Sequence, residues 1–345
     1  MGSIENIRES SSESAMKPLT FTILRRLSDG NFHSGTALGQ ALNVSRASIS
    51  NALQDLENYG LTIHKIPGRG YQWLNPVQWL DSRQIRFHLA ESANSMQIEI
   101  ADIVESTNSL LLQRAIDQTS AHKIKQVLAA ELQTQGRGRR GRSWSSGLGD
   151  SLTFSVLWPS QCAVNALSGL SLATGVAIVR ALTSFGIRDI ALKWPNDVLS
   201  GHNKLAGVLI ELHGDILSPG TVIIGIGLNL KLCNATKTRI NQNVTDIASA
   251  AGHVPDRNQL LAVVLKELAE MLDTFEQHGF EPFVTEWERY HAYQDQAVQI
   301  SFPDGSVQNG IAIGIAPDGA LQVNTPAGIV QLRSGEVSLR GLPPF

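Results

Sequence analysis

Between Gln135 and Arg142 the chain sets four arginines, Arg137, Arg139, Arg140 and Arg142, among three glycines, Gly136, Gly138 and Gly141, although its net charge is only -3. Guanidinium groups grip phosphate and carboxylate oxygens through paired, charge-assisted hydrogen bonds, and glycines let a backbone close over whatever is gripped. Three chemistries fit: a basic arm for nucleic acid, a dinucleotide fingerprint (the glycines satisfy G-x-G-x-x-G), or a loop that closes over a small anionic ligand. Further along, Lys193 in "KWPND" and Lys204 in "NKLAG" add cations, and "STN" at 106–108 adds small hydrogen-bonding groups.

The flanking elements decide among these. "VLAAELQ" before the loop and "SLTFSVLW" after it both have the apolar composition of strands. A dinucleotide fingerprint needs strand, glycine turn and then helix, so the second strand rejects it. A nucleic-acid arm fits poorly too, because the loop is anchored at both ends and contains Trp144. A lid over a ligand remains. Around it, from about Ile85 to Tyr293, strands and helices alternate. "QIEIADIV" runs as a strand into Glu105-Ser106-Thr107-Asn108 and a helix, and "TVIIGIGLNL" is another strand. Asp256 and Gln259 open a strong amphipathic helix that Gly279 stops. Residues 151–179 carry no charge, but Pro159 and recurrent Ser, Thr, Asn and Gln favour a strand plus a buried helix over a membrane span.

With 345 residues, two or three domains are expected. Cys162 and Cys233 make no disulfide framework, and the nine histidines show no paired metal spacing. A reducing, cytoplasmic setting without a structural metal or a membrane partner follows. Residues 1–16 are polar, rich in Ser and Glu, without a signal peptide, and are expected to be a disordered tail.

Residues 17–80 are expected to form a winged helix-turn-helix. Leu19, Ile23 and Leu27 share one face of a first helix. Ser34 and Ser45 are candidate N-caps of the next two, with Ala37, Leu38 and Leu42 packing on Ile49, Leu53 and Leu56, and a hairpin turns at Pro67-Gly68-Arg69-Gly70. Six basic residues against three acidic ones give this segment a charge of +3 inside a chain of -3, which suits a phosphate-facing surface. Ser45, Arg46, Ser48 and Asn51 on the recognition helix and Arg69 on the wing are the candidate DNA contacts; a winged helix used for protein contacts is the alternative. One such module reads few base pairs, so a dimer on a palindrome is the natural arrangement. From residue 296 to 345 short strands alternate with Pro-Asp-Gly and Pro-Ala-Gly turns, the pattern of a small β-barrel.

Five ordered motifs, "STN" at 106–108, "GRGRRGRSW" at 136–144, "KWPND" at 193–197, "NKLAG" at 203–207 and "IGIGLN" at 224–229, resemble those of biotin–protein ligases. With the helix-turn-helix in front, the chain resembles the bifunctional members that also repress the biotin operon. The resemblance covers nearly the whole chain, Lys17 to Arg340. It implies an α+β fold: winged helix, a central mixed sheet with helices of class II synthetase type over 81–295, and an SH3-like C-terminal domain. It implies biotin and ATP as substrates with Mg²⁺, a biotin carboxyl carrier protein as acceptor, operator DNA, and a homodimer promoted by biotinoyl-AMP. Carried over by position, Ser106, Thr107, Asn108, Gln133, Arg137, Gly138, Arg139, Lys204 and Gly207 fall at biotin. Arg139, Arg142, Trp144, Lys193 and Asn229 fall at the nucleotide, and Asp197 at magnesium. Lys204, Lys193 and Arg139 are the catalytic cations, since a carboxylate attacking a phosphate brings two anions together. Gly225 and Gly227 are expected to let ligand approach the backbone, with a strand bulge as the alternative; the C-terminal domain is placed to contact ATP or the carrier protein through Arg340, with a plain surface arginine as the alternative. Two positions depart from the family pattern, Gly147 where proline is usual and Ser151 where asparagine is usual. A ligand-sensing regulator without catalysis and a lipoate–protein ligase are the rival assignments; the loop and "KWPND" favour biotin.

Overall fold

The computed structural model describes residues 16–117, 124–213, 219–301, 306–333 and 338–341. They divide into two compact units: residues up to Leu56 with Leu61–Pro76, and Glu57–Gly60 with everything from Val77. The expected tail lies outside the described residues except for Met16, which is buried.

The first unit contains α1 (Pro18–Leu27), α2 (Gly35–Leu42), α3 (Arg46–Ala52) and an antiparallel hairpin of β1 (Ile63–Ile66) and β2 (Gly70–Trp73). Its helices start where the sequence says they should. Ser34 Oγ accepts the Ala37 N–H and Ser45 Oγ the Ser48 N–H, both at 3.0 Å, each cap contributing about 1 kcal/mol. Asn43 enters the left-handed region at φ 54 to end α2. A side chain at Gly39 would meet the Val44 carbonyl oxygen at 2.7 Å, so glycine lets the two helices of the turn approach. Ile23 and Leu27 are buried as expected, and Leu19 half so. Ala37 is a correction: it is exposed, because α2 buries the stripe Gly35, Leu38, Gly39 and leaves Ala37 on the opposite face.

The second unit begins with α4 (Ser82–Leu89). It continues through β3 (Met96–Val104), α5 (Thr107–Asp117), β4 (Lys125–Gln133), β5 (Ser151–Ala163) and α6 (Leu170–Ser184). Then come β6 (Ile190–Lys193), β7 (Asp197–Ser200), β8 (Asn203–His213), β9 (Pro219–Asn229), α7 (Asn234–Arg239), α8 (Ile247–Ala251), α9 (Arg257–His278) and α10 (Val284–Arg289). The uncharged stretch is thus a strand and a buried helix, the strand running through Pro159, and among the described residues no helix is long and apolar enough to cross a membrane. The seven strands order as β3-β4-β5-β9-β8-β7-β6, parallel between β3 and β4 and antiparallel elsewhere. Alternate residues face opposite sides. Val127, Ala129, Phe154, Val156, Ile224 and Ile226 join the core with α6 and α9, while Leu128, Leu157 and Ile223 lie under Leu111 and Ala115 of α5. Asp256 caps α9 through the N–H groups of Asn258 and Gln259, and Gly279 ends it at φ 65.

Residues 78–81 are fastened to the start of α9. Glu131, fully buried, accepts the Leu80 N–H at 2.6 Å and pairs with Arg257 at 2.9 Å, and Asn258 Oδ1 accepts the Asp81 N–H at 2.7 Å.

Five C-terminal strands, β10 (Ala297–Ser301), β11 (Val307–Ile315), β12 (Leu321–Thr325), β13 (Gly328–Leu332) and β14 (Ser338–Gly341), form an antiparallel sheet ordered β13-β12-β11-β10-β14. The strands and turns are those expected of an SH3-like domain. Closure into a barrel is not seen: β13 and β14 are the outer strands and do not pair among the described residues. Arg340 sits in β14 opposite Gln299. This sheet shares the core of the central one through Val298, Ile300, Ala312 and Leu321, and buried Trp194 donates its Nε1–H to the Gly319 carbonyl at 3.1 Å.

Candidate active site

The sheet face that carries α5 changes character along its length. Leu157 pairs with Ile223 beneath the helix, but the next rows are Ser155 with Gly225 and Thr153 with Gly227, and Gly207 extends the last row onto β8. Replacing leucine and isoleucine by serine and glycine in register opens a hollow where the helix stops. That hollow is a pocket of about 700 Å³, counted to its open mouth. Its glycines are needed as glycines. A Cβ at Gly225 would sit 2.1 Å from Asn108 Oδ1, and one at Gly227 would sit 2.3 Å from the Trp144 ring.

Ser106, Thr107 and Asn108, all buried, line one wall at the start of α5. They do more than cap the helix. Gln133 Oε1 accepts the Thr107 N–H at 2.7 Å, Thr107 Oγ1 lies 2.7 Å from Ser155 Oγ, and Ser155 donates to Asn108 Oδ1 at 2.5 Å. A capping bond is present but long, Ser109 N–H to Ser106 Oγ at 3.4 Å.

The arginine loop folds back on itself over the opposite side. Arg137 bridges Ser143, the Gly138 N–H reaches the Arg142 carbonyl at 2.7 Å, and the Trp144 N–H reaches the Gly136 carbonyl at 2.8 Å. Arg140 and Gly141 turn it with φ of 55 and 71. Its last residue places the indole of Trp144 across Gly207 and Gly227. The Trp144 Nε1–H is buried without a hydrogen-bond partner, a donor that something in the pocket is needed to satisfy. Arg139 donates to Asn196 Oδ1 at 3.1 Å, and Asn196 donates to the Val208 carbonyl at 2.9 Å. Burial, and then the neighbouring Arg140 charge, push the Arg139 guanidinium below its ordinary pKa. Crowding of this kind favours an anion between the cations.

Lys204 stands 5.7 Å from the indole centroid and 2.7 Å from Asp197 Oδ1, an ion-pair contact without hydrogen-bond alignment. Its backbone is pinned on both sides, N–H to the Asn243 carbonyl at 3.0 Å and carbonyl to the Thr245 N–H at 2.9 Å. The turn between β6 and β7 carries Asn196 and Asp197 and contains a cis Trp194–Pro195 bond.

Ser106, Thr107, Asn108, Gln133, Arg137, Gly138, Arg139, Arg142, Trp144, Asp197, Lys204, Gly207, Gly225 and Gly227 therefore line one pocket. Two proposed nucleotide residues do not. Lys193 is half-buried at the end of β6, opposite Asp197. Asn229 is buried with its amide committed to the Thr245 carbonyl at 3.0 Å, so it faces the segment that holds Lys204. Sequence reasoning also missed lining residues, Asn196 inside a quoted motif and Gln242 with no signal at all, and it missed Glu211, which stands behind the lining and binds Asn108 and Arg137. The two family departures are absorbed locally. Buried Asp150 accepts the Gly147 N–H at 2.7 Å, the Ser151 hydroxyl at 3.1 Å and the Thr236 hydroxyl at 2.7 Å, while burial raises its pKa.

In the other unit Ser45, Arg46 and Asn51 are exposed. Ser48 is half-buried with its hydroxyl 2.9 Å from that of Ser45, which ties it to the cap. Arg69 is exposed on the wing, its guanidinium 4.1 Å above the Phe32 ring.

Comparison with known proteins agrees with this layout in three places. The profile of the biotin/lipoate A/B protein ligase family matches residues 100–229, an HTH domain matches 20–72, and the biotin protein ligase C terminal domain matches 295–340. The bifunctional ligase/repressor BirA of Salmonella typhimurium is 35% identical over 92% of this chain and 97% of its own length, and that of Bacillus subtilis is 26% identical over 89% and 94%. Among solved structures, a biotin protein ligase from Aquifex aeolicus in complex with biotin and ATP superposes with a TM-score of 0.60 at 30% identity, covering 71% of this chain and 99% of that one.

Proposed function

The chain belongs to the bifunctional biotin–protein ligase and repressor family, and from that membership together with the pocket we infer how its residues divide the work. It is an ATP-dependent biotin–protein ligase with a helix-turn-helix repressor module. In the first step a biotin carboxylate oxygen attacks the α-phosphorus of ATP and pyrophosphate leaves. In the second, a lysine amine of a carboxylase biotin carrier protein attacks the acyl carbon and AMP leaves.

Both steps build negative charge beside an existing anion, which preorganised cations stabilise. Lys204 takes the place between carboxylate and α-phosphate, its Asp197 partner keeping the ammonium in position until substrate arrives. Arg139 and Arg142 take phosphate oxygens, and Lys193 reaches them from the rim. Ser106, Thr107, Asn108 and Gln133 meet the ureido group, with Arg137 and the Gly138 backbone closing over the other end of biotin. Trp144 offers a stacking face and its free N–H. Asn229 serves by holding the Lys204 segment, a role that replaces direct nucleotide contact.

Among the described residues no group of three His, Cys, Asp or Glu could hold a metal ion. Asp197 is the single pocket carboxylate facing Lys204. That suits magnesium carried in on ATP phosphates, which needs few protein ligands and would supply charge neutralisation on the phosphates.

On the DNA side, Arg46 and Asn51 read base edges while Ser45 and Arg69 meet phosphates. Biotinoyl-AMP promotes a homodimer that binds a palindromic operator, in the cytoplasm. The observation that carries the catalytic reading is the meeting of Lys204, Arg139, Arg142 and the unpartnered Trp144 N–H over a floor of three glycines. Biotin-dependent exchange of label between pyrophosphate and ATP tests it: exchange that needs both biotin and Lys204 supports the assignment, and exchange independent of biotin overturns it.

A further inference from the structure

We propose that Glu211 is a positioning residue that sets the affinity for biotin by fixing the donor and acceptor pattern of the pocket wall and by clasping the first arginine of the loop. The proposal rests on the ligase assignment above. Glu211 lies on β8, and its carboxylate has two partners. One oxygen is 2.8 Å from Arg137 Nη2. The other accepts from Arg137 Nη1 at 3.1 Å and from Asn108 Nδ2 at 2.9 Å. Arg137 also donates to Ser109 Oγ at 3.2 Å, so one carboxylate ties the loop to the start of α5.

The contact with Asn108 carries the second consequence. A carboxylate only accepts, so the Asn108 amide must present its NH₂ to Glu211. Its oxygen then faces Ser155, which must donate at 2.5 Å. Ser155 has spent its one proton, so the 2.7 Å contact with Thr107 requires Thr107 to be the donor. Thr107 in turn holds Gln133 through its backbone, N–H to Oε1 at 2.7 Å. Glu211 therefore sets the direction of a relay that runs through Asn108 and Ser155 to Thr107 Oγ1, while the Thr107 N–H orients Gln133 whichever way that relay points. A ureido group, one carbonyl acceptor flanked by two N–H donors, is recognised by such a fixed pattern, because the wrong polarity leaves buried groups unpaired. Space also forces the arrangement: the amide oxygen rests where only glycine, Gly225, fits beneath it.

Glu211→Gln keeps size and shape but puts a donor where both neighbours donate. Losing one charge-assisted hydrogen bond should raise KM for biotin about tenfold or more, with KM for ATP within about twofold, kcat little changed and thermal midpoint unmoved. Without any ligand, subtilisin should cut the 136–144 loop faster in the variant than in the wild-type chain. A converse pair tests the relay. Asn108→Asp sets two carboxylates against each other and should lose biotin binding more severely. Adding Glu211→Gln to it restores a donor–acceptor pair and should recover at least about tenfold of that loss. Unchanged biotin KM together with unchanged cleavage overturns the proposal, as does a double variant no better than Asn108→Asp. The ligand-free cleavage separates the two ideas: if the wild-type chain makes no biotinoyl-adenylate but Glu211→Gln still loosens the loop, the substrate assignment fails and the clasp stands.

Discussion

In the winged-helix unit, the groups that face a partner are held by their neighbours in the chain. Ser45 caps the helix that begins at Arg46, and Ser48, three residues on, completes the cap. In the pocket, the groups that face a ligand are held from far away. Asn108 is oriented by Glu211, 103 residues along, and Arg139 by Asn196, 57 residues along. The first arrangement leaves Arg46 and Asn51 exposed on a rigid helix. The second spends most polar groups on one another, leaving the Trp144 N–H over. Neighbouring side chains in one network are coupled, whereas separated ones act additively, so substitutions should be separable on the DNA face and strongly coupled in the pocket.

The largest effect expected is on chemistry. Lys204→Ala should fold normally and slow adenylate formation by about 10² to 10³, the value of one positioned group where charge develops. Single-turnover adenylation measures it, and a variant within threefold of wild type removes Lys204 from the mechanism. Next, Arg139→Gly removes the contact with Asn196 and frees the loop. The adenylate should still form but leave about ten times faster, the loss of roughly one hydrogen bond to a charged group, and label bystander lysines visible on a streptavidin blot. Arg46→Ala should weaken operator binding by about 1–3 kcal/mol while leaving adenylation unchanged. Loss of both activities together would break the contrast between the two regions.

The smallest effect concerns His291, which is buried against Trp287 with its Nε2 unpartnered and its pKa lowered by burial. The unfolded chain protonates this group near the usual value of about 6.5, above the folded one. Its contribution is therefore intact above that pH and is lost as pH falls between the two values. Thermal melts of wild type and His291→Gln from pH 7.5 to 5.5 should converge on acidification.

Much of this molecule could be read from its chain because local rules dominate there. Ser34, Ser45 and Asp256 cap the helices they precede, and Gly279 ends α9. Strand alternation and the arginine loop between two strands also follow from neighbours alone. What escaped depends on register between distant strands. Glu211 and Ser155 reach the site because β5, β9 and β8 align Ser155 with Gly225 and Glu211 with Ile223. Asn229 has the right motif but faces Thr245, and nothing near Gln242 marks it as a lining residue. Ala37 misled because an alanine suits either face of a helix, and only the partner surface chooses.

The central claim is that this pocket activates biotin. Incubating the full chain with ATP, Mg²⁺ and equal biotin and lipoate, then identifying the acyl-adenylate by mass spectrometry, tests it directly, since the matching family spans both acids. Biotinoyl-AMP, formed about 10² to 10³ times more slowly by Lys204→Ala, is the predicted product; lipoyl-AMP, or no adenylate at all from the wild-type chain, would contradict the account.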